Sequence, residues 1–358
     1  MTTFLREEKG PTWQQLLEEG KNCLQDAGVA DAELDAWYLL EAAFSIDRVH
    51  FLMDKNRPVD GRILSKSGPV YQEYLEKRAS RIPIQHILGN QEFMGLEFTV
   101  NENVLIPRQD TEKLVETVLK EHPGRDISIL DMCTGSGCIA VSLAVLGSYE
   151  KIMAADISRA ALKVAKKNAR RHFLVQKGTV RSESTLLSET PWKLKMSTYV
   201  YRSDSSEGER QSASGEGTKA AVRAREPGIA AVPGVRKREL FLVESDLFSS
   251  LDQSDKYDII VSNPPYIPSS VIDGLEPEVK DHEPRLALDG SGDGLYFYRR
   301  LAWQSGAYLK KDGMIYFEIG YDQAAAVGQL LATAGFCDIE IIRDEPGLDR
   351  VVKARWNR

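Results

Sequence analysis

Asn263, Pro264, Pro265 and Tyr266 follow directly on the apolar, β-branched run Tyr257-Asp258-Ile259-Ile260-Val261. That run has the length and composition of a buried strand. Neither proline can donate to a strand ladder, so together they end the strand in a stiff loop. From such a loop the Asn263 side-chain carbonyl and the Pro264 main-chain carbonyl offer two acceptors to a planar NH2 group, and the Tyr266 ring can lie flat against it. Amide and aromatic amino nitrogens are weak nucleophiles because their lone pair is delocalised. Accepting both N–H bonds raises the electron density on nitrogen and aims it, so the residues suit group transfer to nitrogen by positioning and electrostatics. No general base of shifted pKa is needed before the transfer. The plainer alternative is a Pro-rich turn that only ends a strand.

A second set of residues lies in the run Leu130-Asp131-Met132-Cys133-Thr134-Gly135-Ser136-Gly137-Cys138-Ile139-Ala140. It follows a strand pattern and opens a helix whose first N–H groups are free, and Gly135 and Gly137 let the backbone approach a ligand closely. Gly135-x-Gly137-x-x-Ala140 also fits a dinucleotide fingerprint, so a nicotinamide enzyme stays open on this motif alone. Asp131, at the strand end, does not suit a pyrophosphate but does suit a cationic amino-acid group. Asp156 ends the next strand and is placed to accept both hydroxyls of a ribose. The pair fits a nucleoside with an amino-acid tail and a sulfonium charge, which is S-adenosylmethionine. Asp246, after a third strand, can accept from the adenine amino group, with Leu247 against the ring face; Asp246 reads equally as a helix cap or turn residue.

The elements that must position these groups change character along the chain. Residues 11–88 carry helical periodicity, opened by the Thr12/Gln15 capping pattern and continued over 31–44 and 70–81. They form an expected helical domain over 1–88. Residues 91–107 read as a hairpin within a linker over 89–107. From 108 to 358 helices alternate with strands at 127–131, 151–156, 240–244, 257–262 and 314–319. Such alternation predicts an α/β, doubly wound, mostly parallel sheet, and in open sheets of that kind ligands bind at the carboxyl edge. The segment 177–239 is rich in Ser, Gly, Glu and Arg without a sustained apolar period, and reads as a disordered insertion. Its excess of basic residues leaves open a basic arm touching RNA.

The chain has 358 residues, a net charge of −7 and an apolar content of 42%, which suits a globular protein of about two domains and does not favour a polyanion as partner. No direct contact with nucleic acid is expected. The charged start and the lack of an apolar run near the roughly 20 residues of a spanning helix predict a cytoplasmic protein without a membrane segment. Four scattered cysteines and five scattered histidines show no metal-ligand spacing and no disulfide framework.

Several further stretches occur in a fixed order with these motifs: "RIPIQHILGNQEFMGLEFTV", "VLIPRQDTEKLV", "ILDMCTGSGCIA", "ESDLF", "VSNPPYIP", "HEPRLALDGSGDGL" and "FEIGYDQ". In this order the chain resembles the HemK/PrmC-type methyltransferases, which methylate the side-chain amide nitrogen (N5) of the glutamine in the Gly-Gly-Gln motif of bacterial class I peptide chain release factors. The resemblance implies a Rossmann-like, seven-stranded methyltransferase domain behind a helical domain that helps dock the release factor, and a monomer is expected. It implies that Cys133, Thr134, Gly135, Ser136, Gly137 and Asp156 contact S-adenosylmethionine and that Leu247 lines the adenine. Asn263 would touch both cofactor and substrate, and Pro264, Pro265 and Tyr266 would complete the glutamine pocket. Cys133 stands where the family loop has its first glycine, and its side chain is expected to crowd the methionine moiety; Gln109 replaces a frequent proline. The insertion is not part of the family pattern. Asn-Pro-Pro-Tyr alone is shared with adenine-N6 and cytosine-N4 methyltransferases of nucleic acids, and a non-catalytic binder that has lost cofactor affinity through Cys133 is the third possibility.

Overall fold

Thr12 and Gln15 cap the first helix reciprocally: the Thr12 hydroxyl accepts from the Gln15 N–H at 3.2 Å, and the Thr12 N–H donates to the Gln15 side chain at 2.8 Å. This computed structural model describes residues 10–124, 126–147, 149–173, 179–186, 193–201 and 235–357. Its first five helices are α1 (Trp13–Asp26), α2 (Ala32–Phe44), α3 (Arg48–Asp54), α4 (Gly61–Ala79) and α5 (Ile84–Leu88). Leu16, Leu24, Leu39, Leu40 and Tyr71 close a core of their own among them. Strands β1 (Asn90–Phe93) and β2 (Leu96–Thr99) then form an antiparallel hairpin. Its turn uses two left-handed residues, Met94 and Gly95, the backbone that matches strand twist. The hairpin is shorter than the sequence pattern implies. Asn101 accepts from the Asn103 N–H at 3.1 Å, which turns the chain, and residues 100–107 continue as a loop.

The remaining elements are α6 (Gln109–Glu121), β3 (Ser128–Met132), α7 (Cys138–Ser142), β4 (Lys151–Asp156), α8 (Arg159–His172), β5 (Thr179–Leu186), β6 (Lys193–Tyr201), β7 (Val235–Glu244) and β8 (Tyr257–Ser262). Three short helices follow, α9 (Ser269–Ile272), α10 (Pro277–Lys280) and α11 (Arg285–Leu288), then α12 (Tyr296–Ser305), β9 (Leu309–Glu318), α13 (Ala324–Ala334), β10 (Phe336–Arg343) and β11 (Asp349–Trp356). The large sheet runs β10-β11-β9-β8-β3-β4-β7-β6-β5. Its interior strands β9, β8, β3, β4 and β7 pair in parallel, while both margins are antiparallel.

The described sheet has nine strands where seven are expected, and the difference lies in the stretch read as a disordered insertion. Strands β5 and β6 fall inside 177–239 and extend the sheet beyond β7. The reason is local: Leu194 and Met196 alternate with Lys193 and Lys195, and both apolar side chains enter the main core. A period-2 pattern of that length is hidden when composition is averaged over the whole segment. Within that stretch 235–239 open β7, and residues 177–178, 187–192 and 202–234 lie outside the described residues.

β3 is the centre of the design. The chain leaves it first toward β4 and β7, then returns on its other side through β8 and β9, so the strand order reverses beside β3. At such a switch point the loops leaving neighbouring strands diverge and open a crevice. The register makes this specific: Met132 of β3 pairs with Ala155 of β4 and with Ser262 of β8. The next residues, Cys133, Asp156 and Asn263, therefore emerge side by side. Ser262 locks the two strand ends by donating its hydroxyl to the Met132 carbonyl at 2.6 Å.

The helical region is tied to the segment that follows the Asn263 loop. Glu278, in α10, accepts from Arg81 Nε at 2.7 Å and Nη2 at 2.6 Å, and pairs with Arg78 Nη2 at 2.8 Å. Arg78 is buried and also donates to Asp35 at 2.6 Å. Although burial opposes it, the two guanidinium groups hold the Glu278 carboxyl down at about 2.

Candidate active site

The loop between β3 and α7 turns through left-handed backbone at Cys133, Gly135 and Gly137, with φ of 63°, 55° and 79°. A Cβ on Gly137 would stand 3.0 Å from the Ala165 Cβ, so that glycine is what allows α8 to pack against the loop. Thr134 N–H donates to the Ala155 carbonyl at 3.0 Å and holds the loop to the end of β4. Asn168, a residue to which the sequence gives no signal, reaches from α8: its amide donates to the Ser136 carbonyl at 2.9 Å and exchanges hydrogen bonds with the backbone of Thr99. The loop is thus fixed from two sides before any ligand arrives.

Asp131 is fully buried beneath this loop. One carboxylate oxygen accepts from the Thr134 hydroxyl at 2.6 Å and the Ala140 N–H at 3.1 Å, while the other has no partner. Burial pushes its carboxyl up to about 7, helped by the charge of Asp156. Asp156 accepts from the Gly135 N–H and the Ser158 N–H, each at 2.8 Å, one per oxygen, which leaves lone pairs on both for a vicinal diol. Its burial also raises its carboxyl above the usual range.

A cavity of ≈ 300 Å³ opens here, lined among others by Cys133, Gly135, Asp156, Leu247, Asn263 and Pro265. Thr134, Ser136 and Asp246 also line it, whereas Asp131, Gly137, Pro264 and Tyr266 do not. Asp131 lies beneath the loop, bonded to Thr134 and Ala140, and Gly137 faces Ala165 of α8. Leu247 is buried and left-handed, at φ 47°, a conformation that costs a branched residue on the order of 1 kcal/mol or more. Its carbonyl is held by the Ser245 hydroxyl. Asp246, read from sequence as an acceptor for an adenine amino group, is half-exposed and paired with Arg300 Nη1 at 2.8 Å. The sequence gives no warning of that cation.

The Asn263 loop leaves β8 on the opposite wall. Asn263 donates its side-chain amide to the Thr111 hydroxyl of α6 at 3.1 Å. Tyr266 packs its side chain against the second core, and its carbonyl accepts from the Gln323 side chain at 3.0 Å. Residues 288–294 press on the loop from outside. Ile267 N–H donates to the Leu288 carbonyl at 3.0 Å, and Gly290 N–H donates to the Ile267 carbonyl at 2.8 Å. A Cβ on Gly290 would meet the Tyr266 backbone at 2.8 Å. At the rim, Arg108 lines the cavity and pairs with the buried Glu283. Thr111, Arg108, Glu283, Gly290, Glu318 and Gln323 all sit in stretches whose order stands out in the sequence, but their partners are far away along the chain.

The residues fit a ligand that joins a nucleoside to a cationic amino acid. The spare carboxylate oxygens of Asp156 suit a ribose, Leu247 offers an apolar wall, and the unpartnered oxygen of Asp131 places a buried acceptor behind the loop. Two buried carboxyls raised to about 7, Asp131 and Glu318, give this site a pH signature. Both bind protons more tightly folded than unfolded, so between about pH 4 and 7 the folded chain holds more protons, and stability falls as pH rises through that window. Glu278 acts oppositely: its contribution is present above about pH 4.5 and is lost as pH falls toward 2. Urea midpoints of the ligand-free protein are expected to drop between about pH 5 and 7, and the drop should be smaller in Asp131→Asn. An equal drop in that variant would show that Asp131 does not titrate there.

Comparison with known proteins places these features in one family. Residues 15–89 match the family described as the PrmC N-terminal domain, and residues 110–194 match one described as ribosomal protein L11 methyltransferase (PrmA). A release factor glutamine methyltransferase of Geobacter sulfurreducens is 33% identical over 97% of this chain and 99% of its own length. Namesakes from Caulobacter vibrioides (34% identical, 93% of this chain and 92% of that protein) and Clostridium botulinum (33%, 96% and 98%) are similar over comparable spans.

Proposed function

Because this chain belongs to the release factor glutamine methyltransferase family, we propose that it methylates the side-chain amide nitrogen of the Gly-Gly-Gln glutamine of bacterial class I release factors, with S-adenosylmethionine as methyl donor. When bound, S-adenosylmethionine supplies an electrophilic methyl group on a sulfonium centre. Asp156 would take the ribose hydroxyls, Leu247 the adenine face, and the loop Cys133 to Gly137 the amino-acid end, with Asp131 behind it. The observation that carries this reading is the register that puts Asn263 on the same cavity as the glycine loop and Asp156.

Asn263 supplies the acceptor that faces the cavity. Its side-chain carbonyl would take one N–H bond of the substrate amide, while Pro264, which lies off the cavity lining, stiffens the loop that carries Asn263. That contact would orient the amide and strengthen as positive charge develops on its nitrogen. Formation of the N–CH3 bond would be matched by cleavage of the S–CH3 bond, which leaves a neutral thioether, and the nitrogen would return to a neutral amide by losing one N–H proton to solvent. Tyr266 and Pro265 keep the loop in shape: the Tyr266 carbonyl is anchored by Gln323, so the acceptor need not reorganise. The net charge of −7 argues against an adenine or cytosine in a polyanion as the acceptor.

The test is incubation with methyl-labelled S-adenosylmethionine and a purified release factor, followed by mass analysis of peptides. One methyl on the glutamine of the Gly-Gly-Gln peptide is expected. Label on added DNA or RNA and none on the release factor would overturn the reading.

A further inference from the structure

Arg81 closes α4 in the left-handed conformation, with φ of 65°. Its N–H donates to the Arg78 carbonyl at 2.8 Å, and the Ile82 N–H donates to the Lys77 carbonyl at 3.3 Å. Glycine is the usual residue at such a helix end, because a Cβ is strained there. Here the strained backbone carries a side chain that reaches Glu278, 197 positions away. We propose that Arg81 and Glu278 are positioning residues for methyl transfer, which hold in place the segment that braces the Asn263 loop; this rests on the role given to Asn263 above.

That segment begins and ends on the loop. Ile267 N–H donates to the Leu288 carbonyl at 3.0 Å, and Gly290 N–H returns to the Ile267 carbonyl at 2.8 Å. The Ser269 hydroxyl donates to Asp289 at 2.6 Å, and the Ser269 N–H donates to the Ser291 carbonyl at 3.0 Å. Between these ends lie α9, α10 and α11, each of four residues and too short to persist without outside contacts. For α10 the contact is the helical region. Glu278 accepts from Arg81 through two parallel bonds, at 2.7 and 2.6 Å, and pairs with Arg78 at 2.8 Å. A fork of this kind fixes direction as well as distance. The Arg81 and Glu278 side chains are only 22% and 17% exposed, so salt and water screen the pair little. Arg78 is itself buried and held by Asp35. A second tie, between Arg108 and Glu283, secures the same segment to the start of α6.

The braced face has little slack. A Cβ on Gly290 would stand 2.8 Å from the Tyr266 backbone, so a shift of the segment is felt by the residues just after Asn263. Neither Arg81 nor Glu278 lines the cavity, and the glycine loop, Asp156 and Leu247 follow other strands. Loss of the pair should therefore disturb the aim of Asn263 and spare the binding of the methyl donor.

The test compares Arg81→Gly, which removes the side chain and relieves the backbone, with Glu278→Gln, which keeps the shape and removes the charge. Calorimetry with S-adenosylmethionine establishes that each variant is folded, and its affinity should match wild type. On a purified release factor, kcat should fall about tenfold in each variant. The double variant should be no slower than Glu278→Gln, because the two residues act through one contact. A second readout needs no turnover. Hydrogen exchange at the Ile267 and Gly290 amides should be faster in both variants than in wild type, while the amides of β3 and β4 keep their rates. A pair that only stabilises the fold would lower the urea midpoint and leave kcat and these two amides unchanged, and that result would overturn the proposal. Donor affinity that falls as far as kcat would overturn it too. If the wild-type protein leaves the release factor unmethylated, the functional reading fails, and the exchange rates still decide whether the pair holds the loop.

Discussion

Asn263→Ala is expected to lower kcat by about 10²–10³-fold, as removal of one preorganised polar contact to a developing charge does elsewhere. The substitution deletes the acceptor that faces the cavity and leaves the glycine loop, Asp156 and Leu247 as they are. Affinity for S-adenosylmethionine should therefore change far less than turnover, and the fold should persist, because the side chain is only partly buried. Steady-state kinetics on a release factor, set beside calorimetry with the methyl donor, separate the two quantities. Near-normal kcat in this variant would mean that another group holds the substrate nitrogen. A fall in donor affinity as large as the fall in kcat would move Asn263 from substrate to cofactor duty.

Asp156→Ala is expected to show the opposite split. Each hydrogen bond to a charged partner contributes about 1.5–3 kcal/mol, so loss of both ribose contacts should weaken S-adenosylmethionine about 100-fold or more. The same carboxylate also holds the Gly135 and Ser158 N–H groups, and their release adds to the loss by loosening the loop. Asp156→Asn is the informative companion. It keeps one carbonyl and the volume of the side chain but offers an NH2 group where one ribose hydroxyl or backbone N–H needs an acceptor. Affinity of Asn between wild type and Ala is expected, measured by calorimetry; an unchanged affinity in Ala would remove Asp156 from the site.

The contrast between these variants reflects what the sequence could reveal. β3, β4 and β8 are short apolar runs with Asp131, Asp156 and Asn263 at or just past their carboxyl ends, and a buried parallel strand leaves that trace because both of its faces are covered. Their closing residues were legible for the same reason: a polar residue at the carboxyl end of such a strand stands at the edge where ligands bind. β10 and β11 were missed. Their sequences, FCDIEIIR and DRVVKARW, mix charges with apolar residues because β10 is a margin strand, partly exposed, and β11 carries ion pairs such as Arg350 with Asp344 at 3.0 Å. β6 leaves little trace because the alternation of Lys193, Leu194, Lys195 and Met196 is embedded in a polar stretch.

Within the site, individual groups were readable and their partners were not. Asn263 was identified, but the Thr111 hydroxyl that holds it lies 152 positions away. Asp246 reads from sequence as either an adenine acceptor or a turn residue, and its ion pair with Arg300 lies 54 positions away. The sequence places the Tyr266 ring against a substrate group; Tyr266 is not among the residues lining the cavity, and its carbonyl accepts from Gln323, 57 positions away. Hydrogen bonds between distant segments depend on the register of the sheet, and no local pattern encodes them. Cys133 is a different case. Its left-handed backbone agrees with a position that favours glycine, as the family resemblance implies.

The most direct measurement is a crystal structure with a Gly-Gly-Gln peptide and a non-reactive analogue of S-adenosylmethionine. The glutamine amide nitrogen should lie within about 2.7–3.2 Å of Asn263 Oδ1, on the cavity side, with Asn263 Nδ2 still on Thr111. An Asn263 side chain turned away from the peptide, or a glutamine amide bound elsewhere on the surface, would contradict the assignment.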